Sequence, residues 1–491
     1  MAAQPLLSAD VIPSSKGLFK QSFETVTLPG DEPMGFWGGG MLYDITPSIS
    51  VGPAVYGAAT GQRGGFITLG VAADSSYRIS DRINANAGYF VGAGGGRGGY
   101  TLSGGGLMLR AHAGLDYNMG KFGLLGVGVS NLDFPNGHIN STQPYISYTY
   151  PFTTLFARGW QQPNRYASST RSAAPAEKEI SIVMRRYDIP AHVTKDNGGV
   201  QHPTLQLIGA ELVHYVGQNG FLKLESEGAF GGDSQGYMQV LMGGGYRFAI
   251  GKTTAAKLSA ATGFAGGGAV DTGGGILLDA QASVQQKLTD HLFVELGVGH
   301  VAAPQASFEA TSLSARLGYS FNTPKMDTDH IFLSSLSGYE NKHFRFRMAH
   351  QTYLKADPNW RSHHNDLNID NLGVQFDYFQ TNNLYLTGQG IGAYAGEAGA
   401  YMTGLIGAGY HQPFANDKFY ADVEFLLGAA GGGGADVNGG FVWQSNANLG
   451  YYLNDKTSLS VGIGRMEAPK GNFKANVINF GLVYNFDVFM R

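Results

Sequence analysis

One pattern is written three times along this chain, and it limits the fold more than any other feature. The stretches Gly106-LMLRAHAGLDY, Gly275-ILLDAQASVQQ and Gly440-FVWQSNANLGY place Leu107/Ile276/Phe441, Leu109/Leu278/Trp443 and Leu115/Val284/Leu449 on one parity. The other parity carries Arg110/Asp279/Gln444, His112/Gln281/Asn446 and Asp116/Gln285/Gly450. Successive side chains leave a pleated strand on opposite sides, so a period of two predicts a β-strand with one apolar and one polar face. The copies share the pattern rather than the residues, which describes a wall between a greasy medium and a wet one.

The third copy divides into strands near 343–356, 367–380, 384–395, 400–414, 418–432, 440–453, 456–468 and 473–486, joined alternately by short turns and longer loops. Gly40, Gly209 and Gly373 open corresponding strands, and Phe152, Phe321 and Phe486 close the copies. The predicted organisation is an N-terminal segment 1–17, repeats 18–152, 178–321 and 343–486, connectors 153–177 and 322–342, and a tail 487–491. By strand parity both connectors fall on the side of the short turns. Each is either a spacer left by duplication or a plug or docking segment.

Composition agrees with many strands and tight turns. The 74 glycines would weaken helices at ~1 kcal/mol per interior site. No apolar run approaches the roughly 18 residues of a membrane-spanning helix, so a bilayer could be crossed only by a closed barrel. A net charge of −4 offers no broad basic surface for nucleic acid. The chain has no cysteine, which excludes disulfides and thiolate metal sites. The opening MAAQPLLSADVIPSSKG lacks a basic start and apolar core, and reads as a mature N-terminus whose export signal has been removed.

The third copy ends Asn479-Phe-Gly481-Leu-Val-Tyr484-Asn-Phe486, a polar residue, a glycine and two aromatics at alternating spacing. This resembles the C-terminal signal of Gram-negative outer-membrane β-barrel proteins, read by the insertion machinery, although Asp487-VFMR follows it here. The resemblance implies an integral outer-membrane protein whose partners are the lipid bilayer, lipopolysaccharide and that machinery, with a periplasmic partner or plug also possible for a wide barrel. The matching positions of the other copies, Ser314/Arg316 and Tyr145/Ser147, lack the glycine. That favours one all-β, antiparallel up-and-down barrel of about 24 strands over the alternative of three tandem eight-stranded barrels.

The predicted inward set comprises Arg110, His112 and Asp116 in copy one, and Lys223, Glu225, Glu227, Lys257 and Asp279 in copy two. Copy three contributes Arg345, Arg347, Asp422 and Glu424. These suit either a wet lumen or a packed ion-pair network. A wide ring implies a porin-like conduit, with an exported polysaccharide as first guess. The alternatives are a structural or adhesive surface protein of three packed barrels, and a general small-solute porin.

No catalytic arrangement stands out, and neither an enzyme, a cofactor nor a metal is expected. The GxGxxG spacing at Gly94, Gly96 and Gly99 precedes a strand rather than the helix a phosphate loop needs. It belongs instead to a Gly-rich hairpin present in every copy, read as a tight bend or close packing of the lumen wall. His363 and His364, beside Asp366, have no further ligand at suitable spacing and are read as solvated loop.

Overall fold

The computed structural model describes residues 11–160, 173–326 and 330–491. Each repeat closes on itself. In the first, eight antiparallel strands run from Ser15–Val26 to Asn140–Thr154, and these two pair directly, Lys20 opposite Thr149. In the second, Pro175–Asp188 pairs with Glu309–Pro324, Lys178 opposite Phe321. In the third, Glu340–Lys355 pairs with Lys474–Met490, Arg345 opposite Asn485.

The all-β, antiparallel, up-and-down architecture with three eight-strand repeats therefore takes the form of three tandem barrels, and the single ring of about 24 strands is corrected. The first and last strands of each repeat pair with one another, so the ladder of each barrel is complete without the next repeat. Nor does the missing glycine in copies one and two bear on closure. Ser147 and Arg316, which stand in its place, are buried in their barrels, and Arg316 pairs with Glu211 at 3.0 Å.

The outer faces carry the apolar parity: Val127, Ile146, Leu296, Leu317, Ile463 and Phe480 are all exposed. Outward aromatics gather near the short turns, with Tyr246–Phe248, Phe419–Tyr451 and Phe344–Tyr378 ring centroids 4.8, 5.1 and 5.0 Å apart. At the loop end each lumen is stoppered by an apolar cluster, centred on Phe36 and Phe66, on Tyr187 and Phe308, and on Trp360 and Phe473.

Parts of the connectors and the N-terminal segment form short strands on the turn side. Phe156–Arg158 pairs with the protruding end of the last strand, Phe156 opposite Val488, and Val11–Pro13 pairs with His330–Phe332. Residues 1–10, 161–172 and 327–329 of the N-terminal segment and connectors lie outside the described residues.

Candidate functional site

Three lumens and three seams between barrels are the places where this chain could do something a plain barrel does not. The lumens are crossed by ion pairs. In the first barrel Arg110 donates from Nε and Nη2 to the two oxygens of Glu24, at 2.8 and 3.1 Å, and its guanidinium lies 5.3 Å from both the Tyr56 and Tyr145 rings. Lys20 and His112 both reach Asp74, His112 at 3.3 Å. Asp116 is buried lower in the same lumen, with one carboxylate oxygen unpaired.

The second lumen is denser. Arg185 donates to Glu225 and Glu227, both at 2.8 Å; Lys223 bridges Glu225 and Glu211 at 3.0 and 3.3 Å; Asp279 lies 3.7 Å from Arg185 and 3.8 Å from Lys223. Nearer the turns, Lys257 joins Glu179 and Glu295 at 2.7 and 2.9 Å. In the third barrel Arg345 and Arg347 share one oxygen of Asp377 at 2.8 and 2.7 Å, while Asp422 holds Arg345 at 2.9 Å and Glu424 holds Arg347 at 2.5 Å. His411 pairs with Asp422 at 2.6 Å.

All twelve sequence-chosen polar residues thus lie inside barrels, grouped three, five and four to a lumen. The alternation pattern alone does not single out their counterparts Glu24, Glu179, Arg185, Glu211, Glu295, Arg316 and Asp377. Each does share the polar parity of its strand, so counting that parity on the first, second, seventh and last strands would have found them. A buried charge is tolerated only when paired and hydrogen-bonded, so these networks are what allows polar side chains to fill an eight-stranded lumen. In the first barrel, beside Lys20, Gly38, Gly39 and His112, a cavity of about 20 Å³ remains. That is room for about one water.

A plug of a different kind covers the third barrel. Trp160, from the first connector, donates its indole N–H to the Phe344 carbonyl at 3.0 Å and stacks on His343 at 5.0 Å. Its ring also meets Phe379 and His411, at 4.8 and 5.7 Å, closing the turn-side mouth of that lumen.

Some of the glycines belong to the seams. On the third strands, Ile49–Thr60, Gly220–Gly231 and Leu384–Ala395, one outward glycine meets the fifth strand of another barrel. A Cβ at Gly57 would run into the Phe264 ring, one at Gly228 would sit 3.1 Å from Ala429 Cβ, and one at Gly392 would sit 2.8 Å from the Ala93 carbonyl. The first barrel's third strand thus meets the second barrel, the second meets the third, and the third meets the first. The contacts form a closed ring with a repeated, head-to-tail interface.

The Gly-rich hairpins between fifth and sixth strands seat on the neighbour as well. Gly64 N–H donates to the Gly273 carbonyl at 2.7 Å, and Gly399 N–H to the Gly104 carbonyl at 2.8 Å. Their reading as lumen-wall packing is corrected: backbone approaches backbone across barrels, where any side chain would intrude. Near the middle of the ring Ile67, Phe264 and Met402, one from each barrel, are buried together. His363 and His364 pack against Tyr100 of the first barrel, with ring centroids 6.1 and 5.0 Å apart, so they are part of the seam as well.

No family model matches the chain, and no curated protein matches it. Among solved structures it is similar to the ferric enterobactin receptor PfeA of Pseudomonas aeruginosa, at 8 % identity over 97 % of this chain and 82 % of that one, with a TM-score of 0.28. It is also similar to OpdQ of the same organism, at 10 % identity over 97 % of both chains and a TM-score of 0.21. A third is the KdgM porin in complex with oligogalacturonate, at 8 % identity over 62 % of this chain and 98 % of that one, TM-score 0.16. Scores this low carry no argument about arrangement or activity. The architecture rests on the closed ladders described above.

Proposed function

We propose that this chain is an integral outer-membrane protein in which three sealed barrels form one rigid ring, serving as a structural or adhesive element with its loop face outward. The observation that carries this reading is the crossing of every lumen by buried, mutually paired charges. A barrel of eight strands leaves room for side chains and little else, and the Arg185–Glu225–Lys223–Glu211–Arg316 chain occupies that room from wall to wall. Passage of a bulky polymer such as a polysaccharide would require breaking such a chain. The apolar exterior and the aromatics near the turns support placement in a bilayer. The motif Asn479, Gly481, Tyr484 and Phe486 serves in this reading as the insertion signal, carried inside the end because the strand continues to Met490.

A second reading, a narrow porin-like conduit for small solutes, is favoured by the first barrel alone, where small residues such as Gly38, Gly39 and Ala72 leave the cavity beside His112. Planar-bilayer recording separates the two. The structural reading expects silence from the native chain, and expects a small steady conductance only once Glu24, Arg110, Phe36 and Phe66 are all replaced by Ala. Steady currents from the unmodified protein would overturn it in favour of the conduit.

A further inference from the structure

The strand Lys474–Met490 outlasts its own barrel. Its ladder with Thr457–Glu467 ends where Tyr484 faces Thr457, yet it goes on pairing with Glu340–Lys355 as far as Met490 opposite Glu340. From Phe486 onward one side of this strand would present an open edge, and open edges recruit other strands. The first connector fills it. Phe156, Ala157 and Arg158 face Val488, Asp487 and Phe486, and Gly159 N–H donates to the Asn485 carbonyl at 3.0 Å. The same connector holds the first barrel: the Phe156 ring lies 5.8 Å from Tyr43 and 5.9 Å from Phe486, and Arg158 Nη2 donates to the Asp44 carbonyl at 3.1 Å.

The residues that follow reach the second barrel. Arg491 and Asn322 exchange two backbone hydrogen bonds, at 2.8 and 3.0 Å, and Asn322 itself stands in the second barrel's closing ladder opposite Glu177. Between these two attachments Phe489 is 1 % exposed, in an apolar core with Leu155 of the first connector and Ile331, Leu336 and Tyr339 of the second. Asp487 is fixed by the third barrel's first strand, through Asn341 Nδ2 at 2.9 Å and His343 Nδ1 at 2.5 Å. Residues 487–491, which follow the signal-like motif, are thus tied to all three barrels.

We propose that Asp487–Arg491 is a docking segment whose partners are this chain's own first connector and the end of its second barrel, and that it latches the three barrels into one ring on the turn side. The glycine contacts join the barrels near the loops, whereas the latch joins them at the opposite end, and two separated attachments resist pivoting where one does not. Backbone pairing fixes the register of the docked segment, and burial of Phe489 drives the docking. The first connector meets its partner strand two barrels further along the chain, so the latch cannot close until the third barrel has its last strand. Losing the segment would deprive the apolar connector residues of Phe489 and reopen the strand edge, while the ladders of the first and second barrels would keep every pair.

The test cuts the full folded chain between its barrels, at specific-protease sites placed within 161–172 and 327–329, and follows by size-exclusion chromatography in mild detergent how fast the three fragments part. Each fragment keeps its own share of the latch, and a single particle is expected. Replacing residues 487–491 by a flexible Gly/Ser run should speed parting at least tenfold, while heat-modifiable migration still reports folded barrels. Ala157→Pro lies outside every barrel ladder and removes an N–H from the connector strand. It should speed release of the first barrel alone, with the second still bound through Asn322. If the Gly/Ser chain does not yield folded barrels, the proline variant decides. Fragments that stay together as long in the variants as in the parent overturn the latch, and so does a parent whose fragments part at once.

Discussion

The seam between the third and first barrels allows a perturbation whose size can be worked out in advance. A Cβ at Gly392 would lie 2.8 Å from the Ala93 carbonyl oxygen, 3.0 Å from its carbon and 3.2 Å from Gly94 N. All three are backbone atoms, and Ala93 is fixed between Leu69 and Leu107 in the ladder of its own barrel, so nothing can swing aside. Gly392→Leu adds three further carbons in the same direction. Overpacking of this kind costs about 1–3 kcal/mol. Because each barrel is closed independently, the cost falls on docking and not on barrel formation.

The chain has no cysteine, so Ser103→Cys, at a fully buried site whose hydroxyl lies against the position a Gly399 Cβ would take, supplies one unique reporter of that seam. Maleimide reaches it only when the seam opens. At about 1.4 kcal/mol per factor of ten, Gly392→Leu should raise the labelling rate about 5- to 140-fold, while heat-modifiable migration of the folded barrels stays the same. An unchanged labelling rate would refute the close approach of the two strands and with it the ring.

Three further outcomes follow from the barrels themselves. Asp377→Ala removes the carboxylate oxygen that Arg345 and Arg347 share, leaving Arg345 to Asp422 and Arg347 to Glu424, and should cost about 1.5–3 kcal/mol, read as a lower temperature for loss of the heat-resistant form. Phe480→Arg, on a half-exposed outward site, should cost about 2–4 kcal/mol if it lies near mid-bilayer, measured as the vesicle-inserted fraction, whereas the same fraction should hardly change for Leu367→Arg in a loop. Replacing Tyr484 and Phe486 by Ala should abolish assembly by the insertion machinery in a reconstituted assay, while the same change at Tyr319 and Phe321 should leave a substantial folded fraction; equal losses would remove the special role of the last strand.

Strand existence and facing were written plainly, because alternation is a local property: Leu278 beside Asp279 and Phe480 beside Asn479 each state which side is wet. What closes a barrel was not local. Whether Phe152 pairs with Gly17 or with the next repeat depends on a ladder between residues far apart in the chain, and both choices leave the same faces apolar and polar. The ion pairs were half legible for a related reason. Arg345 announces a buried cation, but its partners Asp377 and Asp422 come from other strands, and only the tilt of a closed barrel decides which carboxylate it meets. Glycine was half legible. The Gly-rich hairpins are the tight bends that they look like, with several glycines at positive φ, but the neighbouring barrel that makes side chains intolerable there is invisible in a single sequence.

Joining the three barrels on one polypeptide removes a constraint that every symmetric assembly obeys. In a trimer of identical subunits any substitution appears three times, and each seam must remain complementary to copies of itself. Here Phe264 fills at one seam the position that the much smaller Ala429 and Ala93 hold at the other two, and three unrelated charge networks fill the lumens. One barrel can lose or gain a side chain without its siblings following, so the protein can specialise a single barrel while the other two hold the ring in place.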